Sequence, residues 1–194
     1  MILDIYAAIN SHPLSPKQFD IMTQGINSIK LEEIYSKKNK TDADNTIIGI
    51  NLVRAGISKT FALPIQEIKL MYTPTGKPYI YGRSDIHVNI THSKNLIACA
   101  VSDEQVGIDA EMVRDFDLKL AKKYFTPKEI KLIENATDKN KMFASIWTKK
   151  EAALKCSGIG ISGLSDKALF DDYNYDTLEF EQYIISTATK KKEL

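Results

Sequence analysis

The spacing of hydrophobic positions changes several times along the chain, and each change marks an element. Ile2, Ile5 and Tyr6 form a short apolar stretch that predicts a strand. After a polar break at Ser11-His12-Pro13, Phe19, Met22, Ile26 and Ile29 recur at helical spacing, which predicts one helix within residues 19–34. Residues 36–45 are polar and lysine-rich. Ile47, Ile48, Ile50, Leu52, Val53 and Ile57 then predict a mostly buried helix ending beyond Ala55-Gly56, with Gly49 an unfavourable interior residue. Ile68, Leu70 and Tyr72 alternate, Pro74-Thr75-Gly76-Lys77-Pro78 is a turn by composition, and Tyr79 to Tyr81 leads away, so this segment reads as a hairpin.

From Asp85 the pattern is two-fold, with Ile86, Val88 and Ile90 on one face and His87, Asn89 and Thr91 on the other. A second strand follows at 96–101, and 102–105 turns the chain. Val106, Ile108, Ala110 and Met112 alternate with Gly107, Asp109 and Glu111, which predicts a strand that buries one face and presents two carboxylates on the other. Thr126-Pro127-Lys128-Glu129 combines an N-cap, a first-position proline and a capping-box glutamate, starting a helix toward Glu134. A second helix follows Asp138, carries Met142, Phe143, Ile146, Ala153 and Leu154 as a stripe, and stops at Ser157-Gly158. Residues 169–185 read as strands.

The helix around Ile50-Asn51-Leu52-Val53-Arg54 and the one containing Ile146-Trp147-Thr148-Lys149-Lys150 sit half a chain apart, each after a short helix and a polar loop. Two similar α+β halves meeting near 102–105 explain this slightly better than chance likeness of amphipathic helices, giving boundaries of 1–103 and 104–194. Composition narrows the class. The 194 residues are 43% hydrophobic and 26% charged, as expected of a globular chain rather than a disordered or fibrous one. A net charge of +1 disfavours a nucleic-acid partner. No apolar run approaches a membrane span, and no signal peptide is apparent. Cys99 and Cys156 are too few for a disulfide framework and read as small buried hydrophobes in a reducing cytoplasm. The terminal Lys-Lys-Lys-Glu-Leu reads as a frayed tail.

Candidate chemistry gathers in the second half. Asp109 and Glu111, two apart on a strand, place like charges a few ångströms apart on one face, a spacing that suits Mg²⁺, although for an isolated Asp-x-Glu a solvated strand face is the much commoner arrangement. Trp147, Glu151 and Lys155 form one helical ridge; a surface ion pair accounts for the last two and leaves the only tryptophan unexplained. Lys149 and Lys150 read as solvent-exposed. Between 119 and 155 ten lysines face four acids, a local basic patch suited to an anionic cofactor or a small acidic protein. In the first half, His92 closes a strand and Lys77 sits in a turn, both where they can meet a phosphate.

Gly76-Lys77-Pro78, Asn89-Ile90-Thr91-His92-Ser93, Val106-Gly107-Ile108-Asp109-Ala110-Glu111, Phe125-Thr126-Pro127-Lys128-Glu129 and Trp147-Thr148-Lys149-Lys150-Glu151-Ala152-Ala153-Leu154-Lys155 together resemble, in order and spacing, the Sfp-type 4′-phosphopantetheinyl transferases. The resemblance implies an α+β fold of two similar subdomains related by pseudo-two-fold symmetry, with the active site at their interface. It implies transfer of the phosphopantetheine arm of coenzyme A to a serine of an apo acyl or peptidyl carrier protein, releasing 3′,5′-ADP. Carried over, Asp109, Glu111 and Glu151 are the Mg²⁺ ligands, Glu151 doubles as the base, and Lys155 offsets charge on the pyrophosphate oxygens. His92 and Lys77 match contacts to the 3′-phosphate, Thr91 belongs to the same motif, and Thr46 matches a further phosphate contact. Asn45 stands where an arginine is common, which leaves Lys37, Lys38 or Arg54 as first-half basic contacts. Family analogy implies a monomer acting as a pseudo-dimer. Competing readings are a non-catalytic module sensing coenzyme A or nucleotide, and another Mg²⁺-dependent phosphotransferase.

Overall fold

The computed structural model describes residues 1–74, 76–115, 118–166 and 168–192, and of Leu118 and Ile161 the backbone alone. Thr75 of the anticipated turn and Glu193-Leu194 of the tail lie outside the described residues. The chain divides into two compact units, Met1–Glu104 and Gln105–Leu194.

In the first unit β1 (Leu3–Ile9) is followed by α1 (Pro16–Met22), α2 (Ser28–Ser36) and α3 (Lys40–Phe61). The single helix expected over 19–34 is therefore two. Gly25 takes a left-handed φ of 76° and Asn27 caps α2 by accepting from the Lys30 amide, so the chain breaks between them although the apolar spacing runs through. Helix α3 begins within the polar segment, because the Asn39 side chain accepts from the Thr41 amide and starts it. A hairpin of β2 (Leu70–Tyr72) and β3 (Pro78–Ile80) precedes β4 (His87–Ser93) and β5 (Leu96–Ser102). Strand β5 runs antiparallel between β1 and β4, pairing Leu3 to Ser102 and Ser93 to Leu96.

Helix α3 lies on this sheet and buries Ile47, Val53 and Ile57 completely, each removal from water being worth roughly 1.5–3 kcal/mol. Its glycines explain how closely it lies. A Cβ on Gly49 would stand 3.2 Å from Ile90 Cγ2, and one on Gly56 2.8 Å from the Tyr6 ring. The helix-weakening glycine is thus a contact surface. At its end Ala62 is left-handed, with φ 52°, a conformation that costs a residue bearing Cβ about 1 kcal/mol. Ala62→Gly is expected to raise the thermal midpoint by about 2–4 °C; an unchanged midpoint in thermal denaturation would remove strain from that cap.

The second unit repeats the plan. Strand β6 (Val106–Met112) leads to α4 (Leu118–Tyr124), α5 (Pro127–Asn135) and α6 (Lys139–Ser157), then two 3-10 turns, β7 (Tyr173–Phe180) and β8 (Tyr183–Lys190). Here β8 lies antiparallel between β6 and β7. Apart from the β2–β3 hairpin, which only the first unit has, each unit is a strand, three helices and a hairpin whose last strand takes the middle of the sheet, so the two share this topology. The capping box of Thr126 and Glu129, the Asp138 cap and the left-handed Gly158 stand where the sequence puts them. Helix α4 is an element the sequence pattern did not disclose. The tail is less frayed than expected: Lys190 ends β8, and the Lys191 amide donates to the Asp172 carbonyl at 2.8 Å.

Candidate active site

The carboxylate face of β6 does not look into water as alternation implies. Gly107, Asp109 and Glu111 share that face, and α6 packs on it so closely that a Cβ on Gly107 would overlap the Ala152 carbonyl oxygen and the Cys156 amide nitrogen. The helix end is stapled there too. The Gln105 amide nitrogen Nε2 donates to the Cys156 carbonyl at 2.8 Å, and the Cys156 thiol lies 3.4 Å from the Gln105 carbonyl. Asp109 is only 6% exposed and Val106 to Ala110 are all buried, while Glu111 is partly exposed, so at Asp109 the face is covered and the solvated-face alternative does not hold there.

Lys155, two turns from Trp147 on α6, sets its ammonium 2.6 Å from Asp109 Oδ1. Glu151 lies one turn earlier and is half-buried. Burial raises its carboxyl above the ordinary glutamate value; the negative charges of Asp109 and Glu111 push the same way, and Lys155 opposes them. Three acids and one lysine thus feel one another, which fits an excess of negative charge awaiting a cation. Among the described residues no group of three His, Cys, Asp or Glu side chains is already assembled to hold a metal ion. The donor set nevertheless suits Mg²⁺ in kind, being hard carboxylate oxygens, with the Lys155 ammonium supplying the compensating charge at Asp109.

Other residues support this wall. Ser186, directly opposite Asp109 in the β6–β8 ladder, is 2.7 Å from the Thr148 hydroxyl of α6 and 2.9 Å from that of Thr177. Trp147 stacks with Phe143 at 4° and 6.3 Å between centroids, and Tyr124 and Phe125 close the aromatic cluster. With Glu111, Met112, Arg114 and Asp115, these two stacked rings line a cavity of about 440 Å³. Lys150 is a correction. It is 2% exposed rather than solvated, its ammonium 3.0 Å from Glu129 Oε1 and 4.0 Å over the Phe170 ring. Lys149 is partly buried.

In the first unit, Thr46 and His92 line one recess of about 270 Å³ together with Lys30, Glu33, Lys37 and Tyr72. Gly76 and Pro78 border it, while Lys77 between them is partly buried and its amide donates to Thr73 Oγ1 at 3.0 Å. Thr91 is buried within β4 opposite Ala98. Asn45 is engaged internally, accepting from Asn10 Nδ2 at 2.9 Å and donating to the Lys94 carbonyl at 2.8 Å, which ties α3 to the turn after His92. Arg54 braces the fold by donating to the Gln24 and Ile65 carbonyls, and Lys38 is exposed. Lys37 lines the recess as anticipated, but Lys30 was missed. Its signal was available: Lys30 and Glu33 fall at i and i+3 on α2, and Lys37, at i+7, is the residue that caps its end.

Comparison with known proteins bears on the whole chain. Residues 105–193 match a model described as the 4′-phosphopantetheinyl transferase superfamily, and residues 12–104 one described as 4′-phosphopantetheinyl transferase, N-terminal. A 4′-phosphopantetheinyl transferase of Bacillus subtilis is 32% identical over 162 residues, 82% of this chain and 72% of that protein. The chain belongs to the Sfp-type 4′-phosphopantetheinyl transferases. The transferase Sfp of Bacillus subtilis strain 168 is 31% identical over the same span. The transferase HetI of Nostoc is 36% identical over 126 residues, 61% of this chain and 53% of that protein. The two matched segments coincide with the two halves of mixed helix and sheet, so family and fold class agree. No helix among the described residues is long and apolar enough to cross a membrane.

Proposed function

We propose that this chain transfers 4′-phosphopantetheine from coenzyme A to a serine of an apo acyl or peptidyl carrier protein, as a monomer in a reducing cytoplasm. The observation that carries the reading is the grouping of Asp109, Glu151 and Lys155 by β6 and α6 in a chain of this family. A serine hydroxyl is a weak nucleophile at neutral pH, and a carboxyl raised by burial is a better proton acceptor than an ordinary one. Glu151 takes the serine proton as the oxygen attacks the phosphorus bearing pantetheine. The bond from that phosphorus to the bridging oxygen breaks, and 3′,5′-ADP leaves.

Lys155 then balances charge on the departing pyrophosphate oxygen. Asp109, Glu111 and Glu151 are the residues that would hold Mg²⁺, which when bound neutralises the equatorial oxygens and orients the pyrophosphate. Asp109 would then serve both Lys155 and the metal. The recess of Lys30, Lys37, Thr46 and His92 supplies donors for the 3′-phosphate, and Lys77 stands beside it. The cavity beside Glu111 and Trp147 is assigned to the less polar pantetheine arm.

Intact-mass analysis of apo carrier proteins incubated with the chain, coenzyme A and Mg²⁺ is the direct test. A gain of one phosphopantetheine, abolished by EDTA, is the expected outcome. No gain across acyl and peptidyl carriers, or a gain insensitive to EDTA, would overturn the activity or the metal dependence respectively.

A further inference from the structure

One charged contact in the first unit lines the recess just described. The Lys30 ammonium is 2.8 Å from both oxygens of Glu33, one turn along α2. Lys30 is largely covered, its side chain 15% exposed, whereas Glu33 is 52% exposed. An i, i+3 pair of this kind adds little stability and opens at small cost. Both residues line the recess that holds Thr46 and His92, and both line the adjoining recess of about 270 Å³ bounded by Asn27, Met71 and Pro74. The pair stands where the two hollows meet.

The third wall at that junction is Tyr72. Lys30 sits 4.5 Å above its ring, which keeps the ammonium in place whether or not Glu33 is there. The Tyr72 hydroxyl is buried with no hydrogen-bond partner among the described residues. A buried donor left open beside a chelated ammonium is the arrangement expected of an anion site whose place is taken by an internal carboxylate. Burial and the Glu33 charge both hold the Tyr72 proton on, so the hydroxyl stays a donor.

We infer that Glu33 is an internal stand-in for the ligand's phosphate: its carboxylate occupies Lys30 in the free protein and is exchanged for a phosphate ester on binding, so that Glu33 sets the affinity of this recess. This rests on the coenzyme A reading and adds to it a residue that sets how tightly the 3′-phosphate is held. The incoming phosphate and Glu33 carry the same sign and compete for one ammonium, so Glu33 weakens the binding of any ligand that places a phosphate at Lys30.

The test is equilibrium binding of 3′,5′-ADP, with 5′-AMP as the comparison, to the wild-type chain and to E33Q. E33Q keeps the side-chain size on an exposed helix position. Removal of one like charge at a few ångströms should tighten 3′,5′-ADP about fivefold at low salt, with the gain fading as salt is raised. The gain on 5′-AMP should be smaller, since that nucleotide lacks the 3′-phosphate. Wild-type binding with no gain in E33Q would overturn this inference alone. An equal gain for both nucleotides would overturn the assignment to the 3′-phosphate. Failure of both proteins to bind either nucleotide would bring down the coenzyme A reading and this inference with it.

Discussion

Gly107→Ala is expected to destabilise the second unit by roughly 3 kcal/mol or more, because overpacking of a well-filled contact costs about 1–3 kcal/mol even where side chains can give way. Here they cannot. The atoms that a methyl group at 107 would overlap are the Ala152 carbonyl oxygen and the Cys156 amide nitrogen, a backbone pair inside α6. Relief requires moving the helix off the strand. That same contact sets Asp109 against Lys155 and brings Glu151 into the field of Asp109 and Glu111, so activity should fall with stability. For a chain of this size the expected drop in thermal midpoint is about 6–12 °C. A variant melting within a degree or two of wild type would show that α6 does not need the glycine.

The elements with local chemistry were legible in the sequence. The Thr126 to Glu129 cap, the Gly158 stop and the β4–β5 alternation are each written in residues that touch one another along the chain. Features that depend on distant partners were not. Nothing local marks Lys150 as buried, because its partners Glu129 and Phe170 lie about twenty residues away on either side. Gly49 counted against a helix when read alone and is explained only by Ile90 and Ile97 of the sheet. Breaks at Gly25 and Asn27 were readable from turn and cap preferences, but a continuous apolar period outweighed them. Asp109 and Glu111 share one strand face, as their spacing implies, but alternation reports sides and not what covers them, so the sequence left open whether that face meets solvent. Lys30 is a different case: its spacing with Glu33 and Lys37 is readable in the sequence, but only the recess they line shows that the spacing matters.

Glu151→Gln should separate function from stability, moving them in opposite directions. If Glu151 is both proton acceptor and metal ligand, the amide loses the first role and weakens the second, and turnover should fall by at least about 10²–10⁴. Stability should move the other way at neutral pH. Burial, then the charges of Asp109 and Glu111, raise the Glu151 carboxyl above the ordinary glutamate value of 4.5, so the folded chain binds that proton more tightly than the unfolded one. Folding stability therefore falls as pH rises from about 4.5 through the raised value, and the penalty persists above it. Glutamine removes the penalty, so E151Q should melt higher than wild type at pH 7.5. Near pH 4 both side chains are uncharged and the difference should vanish. Thermal melts at the two pH values, run beside intact-mass turnover, read both effects from the same preparations. Mg²⁺ should raise the wild-type midpoint at pH 7.5 more than that of the variant, because a cation relieves in one protein what the substitution has already removed in the other. Near-normal turnover would take Glu151 out of the chemistry, and a lower melting variant at pH 7.5 would mean that the carboxylate is satisfied where it stands. A higher melting, inactive variant would identify the acid cluster as a place where folding stability is given up to keep a charge ready for the metal and the serine.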